Sequence, residues 1–409
     1  MSFSEIVELR GHIIDSYALP QIMDEVMDRG GEFVIQDIQV GRRKDEPSYA
    51  RIQISAPNRE LLELLLNRAQ RIGAMPEDVE QVNLVPAPAG GVFPEGFYST
   101  TNLDTAVRVA GNWVPVQWPE MDCAIAVDAS TRRAWTVALS DVEAGELLVV
   151  GHEGVRVSPM ERPRTQPQVF AFMGSSVSSE KPKVLLIREV ATRLRDIRAR
   201  GGNVILVGGP VLVHTGTRDG VASLIRERYV NVLFAGNGLA THDIEMAMFG
   251  TSLGVSLSQG VPQEGGHEHH LRAINRVRRA GSIRAAVEQG LLTSGIMHAC
   301  VEANATCILA GSIRDDGPLP DVVTDTLEAQ RLMRAEVHKG VDLVLVLSSM
   351  LHGIATGNLL SAAVTTVCVD INPAVVTKLA DRGSFQAIGL VMDVEGFVRE
   401  LCADLQIAS

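Results

Sequence analysis

Lysine is nearly missing from this sequence: Lys44, Lys181, Lys183, Lys339 and Lys378 are the whole complement, and arginine carries almost all the positive charge. A covalent route through a lysine imine therefore has few residues to choose from. Cysteine is equally sparse. Cys123, Cys300, Cys307, Cys368 and Cys402 are odd in number and include no CxxC pair, which disfavours a disulfide framework and a zinc cage and points to a reducing compartment. No run of about 18 apolar residues occurs, and the start, MSFSEIVELRGHIID, lacks the basic-then-apolar order of a secretory leader. A cytoplasmic protein with no membrane partner is expected. Acidic residues outnumber basic ones, 49 to 37, for a net charge of -12, so no basic face is expected for a nucleic-acid backbone.

What is there is the composition of an ordinary globular chain, 46% hydrophobic and 21% charged over 409 residues. That length calls for two or three domains of about 100 to 200 residues each. Residues 5 to 74 change period in the order β-α-β-β-α: EIVELRGHI, SYALPQIMDEVMDRGG, EFVIQDIQVG, YARIQISA and NRELLELLLNRAQRIG. A small α+β domain over 1–84 is expected, with Asn58 capping its second helix and Gly73 ending it. VPAPAGGVFPEG (85–96) reads as a linker or extended loop. The short runs CAIAVDA, RAWTVALS and ELLVVGHEGVRV then predict a small β-rich module over 97–180, and SPMERPRTQPQ (158–168) and GSSVSSEKPK (174–183) read as connectors.

From 183 to 409 helical stretches alternate with NVILVGG, NVLFAGNG, ATCILAGS, DLVLVLSS, TTVCVDIN and QAIGLVM. Strands apolar on both faces belong to a parallel sheet covered on each side by helices, so a doubly wound α/β domain is expected. Ligands of such sheets bind beyond the carboxyl ends of the strands. The residues there are Gly208, Gly209 and Pro210; Gly236, Asn237 and Gly238; Gly311 to Asp316; Ser348, Ser349 and Met350; and Asp370 with Asn372. Small residues at strand ends let backbone amides approach a phosphate, although each alone is equally an ordinary turn. No GxGxxG follows the first strand and no GxxxxGK[ST] occurs, which excludes the Rossmann fingerprint and the P-loop and predicts a different nucleotide fold. Asp370 is placed either to accept from ribose hydroxyls or to begin the helix before Pro373.

Two segments are dense in polar chemistry. GGHEHHLRAIN (265–275) gathers His267, His269 and His270; without carboxylate or thiolate at ligand spacing no metal is expected, and helix-start, substrate-contact or general-base roles remain. In SIRDDGPLPDVVTD (312–325), Arg314 can fork onto a carboxylate, while Asp315, Asp316 and Asp321 can hold an ammonium group or carry protons, or form a solvated turn before a helix. Cys300 in apolar surroundings is expected to be inert packing.

AGNGLATHDIE, RAINRVRRAGSIRAAVEQG, GSIRDDGPLPDVVTD, SSMLHGIATGNLL and CVDINPAVVTKLADRGS resemble the NAD-dependent ornithine cyclodeaminase family of archaea and cyanobacteria, also known as the conserved domain of lysine-oxoglutarate reductase/saccharopine dehydrogenase (LOR/SDH). The resemblance spans nearly the whole chain. It implies an NAD-binding domain of deoxyhypusine synthase and sirtuin type. DLVLVLSSMLHGIATGNLL followed by VCVDINP is similar to the sirtuin GTSL-to-INPE pair, whereas GTSLGV at 250–255 reads as a coincidence. By that analogy Ser348, Ser349 and Met350 border the cofactor, Asn358 supports their loop, Asp370 and Asn372 reach the adenosine ribose, and the Gly208-Gly209 turn approaches the pyrophosphate, with Pro210, Gly236 and Asn237 beside it.

The activity the resemblance implies is a closed redox cycle in which ornithine is oxidised at Cα, cyclises with loss of ammonia and is reduced to proline. Arg314 is the expected carboxylate ligand, Asp315, Asp316 or Asp321 the residues near the amines, and Asn237, His242, Glu245 and His269 further pocket residues. Lys378 and Lys339 sit poorly for an imine, so a route without covalent lysine is expected. Cyanobacterial members carry an additional guanidine-hydrolase domain that is lacking here, so arginine is not an expected substrate. A homo-oligomer is expected. Rival readings are another NAD-linked amino-acid oxidoreductase of lysine/saccharopine type and a sensor of NAD or amino acids, since the N-terminal unit resembles small effector-binding modules.

Overall fold

The computed structural model describes residues 3–14, 16–43, 46–76, 80–158, 183–252, 255–256, 266–315, 317–380 and 387–409. Both expected connectors lie almost wholly outside these. The chain divides into two compact units, 1–171 with 360–363, and 172–359 with 364–409.

The first unit opens with β1 (Phe3–Gly11), α1 (Ala18–Asp28), β2 (Glu32–Gln39), β3 (Ser48–Ala56) and α2 (Arg59–Arg71), the order that the periodicity predicts, followed by a short β4 (Met75–Pro76) that it does not. The strands form an antiparallel sheet in the order β2-β3-β1-β4, with a bulge in β2 between Ile35 and Asp37. Leu9, Ile52 and Ile54 on the strands and Ile22 and Leu65 on the helices are fully buried against one another. Asn58 does cap α2, accepting from Leu61 N at 2.8 Å. Gly73, at φ 109, turns the chain away after α2.

The β-rich part of this unit has β5 (Asn83–Pro86), β6 (Thr105–Val109), β7 (Asn112–Gln117), β8 (Ala124–Asp128), β9 (Arg133–Val137), β10 (Leu147–Val150) and β11 (Val155–Val157), in the order β11-β6-β7-β9-β8-β10-β5. The expected linker or extended loop at 85–96 is therefore corrected only at its start, no strand or helix being formed over 87–96. Its first residues close β5, pairing with β10 from Pro86 opposite Leu147 to Asn83 opposite Val150. Pro86 is tolerated because β5 is an edge strand. Gln70 of α2 donates to His152 O and Val155 O, tying the helix to this second sheet.

The second unit begins with α3 (Lys183–Ala199) and β12 (Val204–Gly208), then α4 (Val211–His214), α5 (Arg218–Arg226), β13 (Val232–Gly236), α6 (Asn237–Phe249) and a hairpin of β14 (Thr251–Ser252) and β15 (Val255–Ser256). After it come α7 (His269–Ala280), α8 (Ile283–Glu288), α9 (Ile296–Glu302), β16 (Thr306–Ala310), β17 (Val322–Val323), α10 (Thr326–His338), β18 (Leu343–Leu347), α11 (Met350–Leu359), β19 (Thr365–Asp370), α12 (Pro373–Ala380), β20 (Ala387–Val391) and α13 (Val394–Leu405). The sheet is parallel throughout, in the order β17-β16-β13-β12-β18-β19-β20. Every residue of β12 and β18 is buried, as continuous apolar strands between two helical layers must be.

Apart from the two-residue edge strand β17, this is the 3-2-1-4-5-6 order of a Rossmann domain. The expectation of a different nucleotide fold is corrected accordingly. Only the glycine fingerprint is missing; the winding is the same. The order reverses between β12 and β18, which puts the crevice at Gly208-Gly209 and Ser348-Ser349.

Candidate active site

At that crevice the two halves of the sheet touch through their backbones. Gly209 N donates to Leu347 O at 3.1 Å, and a Cβ on Gly209 would lie 1.9 Å from Ser348 O, so no other residue fits. Ser348 adopts φ 49, a left-handed conformation that costs a non-glycine residue about 1–2 kcal/mol. Strain of this kind persists where surrounding structure holds it, commonly at ligand sites. One strand over, Gly236 stands at the N-cap of α6, where no side chain caps the helix and its first amides stay available for a ligand. His352 of α11 covers Gly236, its Cε1 3.0 Å from where a Cβ would be. Burial holds the His352 imidazole below its ordinary pKa.

At the end of β19, Asp370 Oδ1 accepts from Asn372 N at 2.8 Å and Asn372 Oδ1 accepts from Ala374 N at 3.0 Å, which starts α12. The other Asp370 oxygen has no hydrogen-bond partner among the described residues. Met350 and Leu351, just after β18, and Ile371, just after β19, are exposed at the same end of the sheet as Asp370.

Two groups of polar contacts start from α6. Asn237 is buried in its first turn: Oδ1 accepts from Leu319 N (3.1 Å) and Thr241 Oγ1 (3.2 Å), and Nδ2 donates to Asp315 Oδ1 (3.2 Å). One turn on, His242 Nδ1 lies 2.9 Å from Oε2 of fully buried Glu245. Gly250, at φ 70, reverses the chain after α6 so that Thr251 returns to donate to Glu245 Oε1 at 2.9 Å. Thr251 Oγ1 is also 2.8 Å from His269 Nδ1. His214 Nδ1 sits 2.6 Å from Ser252 Oγ, and its ring centroid is 4.9 Å from that of His242, which lies 6.5 Å from that of His270. Burial, then the neighbouring His242, lower the His214 pKa against the pull of Glu245. Four imidazole rings and a carboxylate thus meet where acid–base chemistry is possible.

On the far side of α6, Asp243 is fully buried and paired to Arg218 Nε of α5 at 2.7 Å. It also accepts from Ile296 N and Met297 N, the first amides of α9. Gly295 leaves the room: a Cβ there would lie 2.1 Å from Arg218 Nη2 and 2.4 Å from Asp243 Oδ1. This cluster fixes the helix that carries Asn237, His242 and Glu245. Burial pushes the Asp243 carboxyl up in opposition to Arg218.

The expected residues separate into groups. His242, Glu245 and His269 come together through Thr251, Asn237 meets Asp315 instead, and Gly208, Gly209, Pro210, Gly236, Ser348, Ser349, Met350 and Asp370 occupy adjacent strand ends. Asp315 is partly spent on its own loop, Oδ2 accepting from Ser312 N at 2.8 Å. Arg314 is exposed, with no side-chain partner among the described residues. Asp321 is engaged elsewhere, since its Oδ2 accepts from Ile283 N at the start of α8 (2.8 Å). Asn358 is half-buried in α11, and Asn372 serves the turn into α12. Asp316 and the His267 side chain lie outside the described residues. Cys300 is buried, and its hydrogen bond with Cys307, then burial, hold the thiol well above its ordinary pKa, consistent with inert packing.

Sequence reasoning missed His214, Thr251, Ser252 and His352. For Thr251 and Ser252 a signal existed: they lie in the GTSLGV string read as a coincidence.

Three family models match the chain: the LOR/SDH bifunctional enzyme conserved region over residues 4–103, the first region of the arginine dihydrolase ArgZ-like C-terminal part over 104–187, and its Rossmann-fold region over 188–401. The chain is 52% identical to the ornithine cyclodeaminase of Methanothermobacter thermautotrophicus, over 98% of its own length and 97% of that protein. It is 42% identical to the bifunctional arginine dihydrolase/ornithine cyclodeaminase ArgZ of Synechocystis, over 98% of this chain and 58% of ArgZ. Among solved structures it is similar to a conserved LOR/SDH protein from Methanococcus maripaludis (47% identity, 80% of this chain and 99% of that one, TM-score 0.76). It is also similar to AgrE in ternary complex with ornithine and NAD+ (41% identity, 99% of this chain and 58% of that one, TM-score 0.54).

Proposed function

The chain belongs to the ArgZ-like family that includes the archaeal ornithine cyclodeaminases, and from that membership we propose that it is an NAD-dependent ornithine cyclodeaminase, forming L-proline and ammonia from L-ornithine. The observation that carries this reading is likeness over the whole length to enzymes of that name, joined to a cluster of histidines around buried Glu245 on helices that follow strands β12 and β13 of the parallel sheet.

The residues present fit a dinucleotide. Asp370 has one carboxylate oxygen fixed by Asn372 N and one left for a ribose hydroxyl, and the exposed Met350, Leu351 and Ile371 offer apolar cover for a planar base. The uncapped start of α6 and the Gly208-Gly209 turn supply the small-residue approach that a pyrophosphate needs. NAD, when bound, supplies the oxidation at Cα and the later reduction and is regenerated. The finer assignment of this domain to the deoxyhypusine synthase type rests on the Rossmann order without the Rossmann fingerprint.

In this reading Arg314 takes the substrate carboxylate as a bidentate partner. Asp315, with Asn237 holding one oxygen, orients an ammonium group. His242 and His269 move protons, with Glu245 between them. Asp316 belongs to the same loop, and Asp321 acts from outside as a loop anchor. A three-part division at 1–84, 97–180 and 183–409, a cytoplasmic location and a homo-oligomer complete the proposal; among the described residues no helix is long and apolar enough to cross a membrane.

Purified protein supplied with NAD and ornithine should release proline and ammonium in equal amounts without accumulating NADH. Stoichiometric NADH would favour the saccharopine-type oxidoreductase. Binding of NAD and ornithine with neither product would overturn catalysis and leave a sensor.

A further inference from the structure

Glu245 is completely buried, and both of its oxygens are engaged: Oε2 faces His242 Nδ1 at 2.9 Å, and Oε1 accepts from Thr251 Oγ1 at 2.9 Å. A threonine hydroxyl has one proton to donate. Because Thr251 donates it to the carboxylate, Thr251 can only accept from His269 Nδ1, 2.8 Å away. His269 therefore carries its proton on Nδ1, and by the direct contact with the carboxylate so does His242. Neither Nε2 has a hydrogen-bond partner among the described residues. The His269 ring is further held by stacking on Phe249 (centroids 4.8 Å apart, 13° between planes), whose face is covered by the Arg276 guanidinium at 4.6 Å.

We propose that Thr251 is a positioning residue: it relays one Glu245 carboxylate to a second imidazole, so that His242 and His269 both present an Nε2 lone pair to the substrate. The inference rests on the cyclodeaminase reading, whose substrate bears two ammonium groups that must each give up a proton. With NAD, when bound, supplying the oxidation and the later reduction at Cα, the δ N–H bond breaks towards one Nε2 and the freed lone pair forms the ring C–N bond; the ring nitrogen passes a second proton to the α-amine, the Cα–N bond breaks to release NH3, and the imidazole returns its proton to that ammonia as ammonium. The α-ammonium proton goes to the other imidazole and is returned to the ring nitrogen. Ornithine cation becomes proline zwitterion and ammonium, so no proton is consumed. Two amines are served by two fixed bases, and one buried carboxylate sets both.

The test is nitrogen NMR of histidine-labelled protein without ligand, with His242→Gln and His269→Gln used to assign the signals. Both rings should be in the Nδ1–H tautomer, the minor form of free histidine. Thr251→Val should release His269 from that form, leave His242 in it, and lower kcat for proline formation roughly 10²-fold with a smaller change in ornithine KM. Thr251→Ser should restore both signals and turnover. An Nε2–H His269 in the parent protein, a Thr251→Val protein with both tautomer and kcat unchanged, or a folded Thr251→Ser protein without recovery would overturn the relay. The parent spectrum decides the matter even where Thr251→Val does not fold. Fixed tautomers in a protein that forms no proline would uphold the relay and refute the cyclodeaminase reading instead.

Discussion

Replacing Arg218 by methionine keeps an aliphatic stem beneath Asp243 but removes the cation that faces it. Asp243, fully buried, would retain Ile296 N and Met297 N as donors and lose its 2.7 Å contact with the guanidinium. Breaking one side of a buried pair costs about 3–5 kcal/mol because the remaining charge is uncompensated. Against a total stability of about 5–15 kcal/mol this is a large fraction. For a unit of this size each kcal/mol lowers Tm by about 2–4 °C, so calorimetry should show the transition of the second unit falling by about 6–20 °C. The pH dependence gives a sharper check. Burial already holds the Asp243 carboxyl above its ordinary 3.8, and removing the cation raises it further. A carboxyl raised on folding binds its proton more tightly in the folded state. The variant should therefore regain stability, relative to the parent, as pH falls towards 3.8, and lose it as pH rises through the folded value. Asp243→Asn has no titrating group there and should lack this recovery. A fall in Tm below about 3 °C, or a deficit unchanged by pH, would refute the assignment of Asp243 as the anchor of α6.

Further outcomes follow from the strand ends. Gly209→Ala, with its methyl 1.9 Å from Ser348 O, should force the switch point apart and weaken NAD binding at least about tenfold by calorimetry, whereas Gly238→Ala, nearest to Pro210 Cγ at 4.0 Å, should be tolerated. Asp370→Ala should raise the NAD Kd roughly 10–150-fold, the worth of a charged hydrogen bond; an unchanged Kd would displace the ribose from β19. Asp321→Ala should lower stability by about 1 kcal/mol through the start of α8 and leave ornithine KM alone, and a collapse of kcat would return Asp321 to the chemistry. The depressed pKa of half-buried His352 means that the unfolded chain takes up its proton first as pH falls. Stability present above the ordinary 6.5 should thus be lost below it, and His352→Gln should flatten that slope in melting curves.

The fold was largely legible because burial writes itself into period. Strands such as VILVG and LVLVL, apolar on both faces, could only be central in a parallel sheet, and the cap at Asn58 announced α2. Edge elements were harder to read. The linker reading of 85–96 followed from its prolines and glycines, yet Pro86 sits in β5 because an edge strand does not need every amide. The Rossmann order was hidden because it depends on which strand lies beside which, whereas the fingerprint reports only one way of approaching a phosphate. In the site, local strings named His242, Glu245 and His269, but not the partners that fix them. Arg218 meets Asp243 from 25 residues away and His214 meets Ser252 from 38, so no spacing rule connects them. Asp321 shows the opposite failure, a residue whose type suggested chemistry and whose carboxylate anchors a helix.

The bulge in β2 has a bearing on how this chain keeps to itself in a crowded solution. β2 is the open edge of its sheet, and Val34, Ile38 and Val40 in or just beyond it are exposed, which on a flat strand would invite another chain to add itself. The extra residue between Ile35 and Asp37 bends the strand and breaks the even spacing of amides and carbonyls that an incoming strand would have to match. Asp37 adds an exposed negative charge beside the break. The edge is thereby a poor template for growth into fibrils, and its apolar side chains can stay in water without seeding assembly.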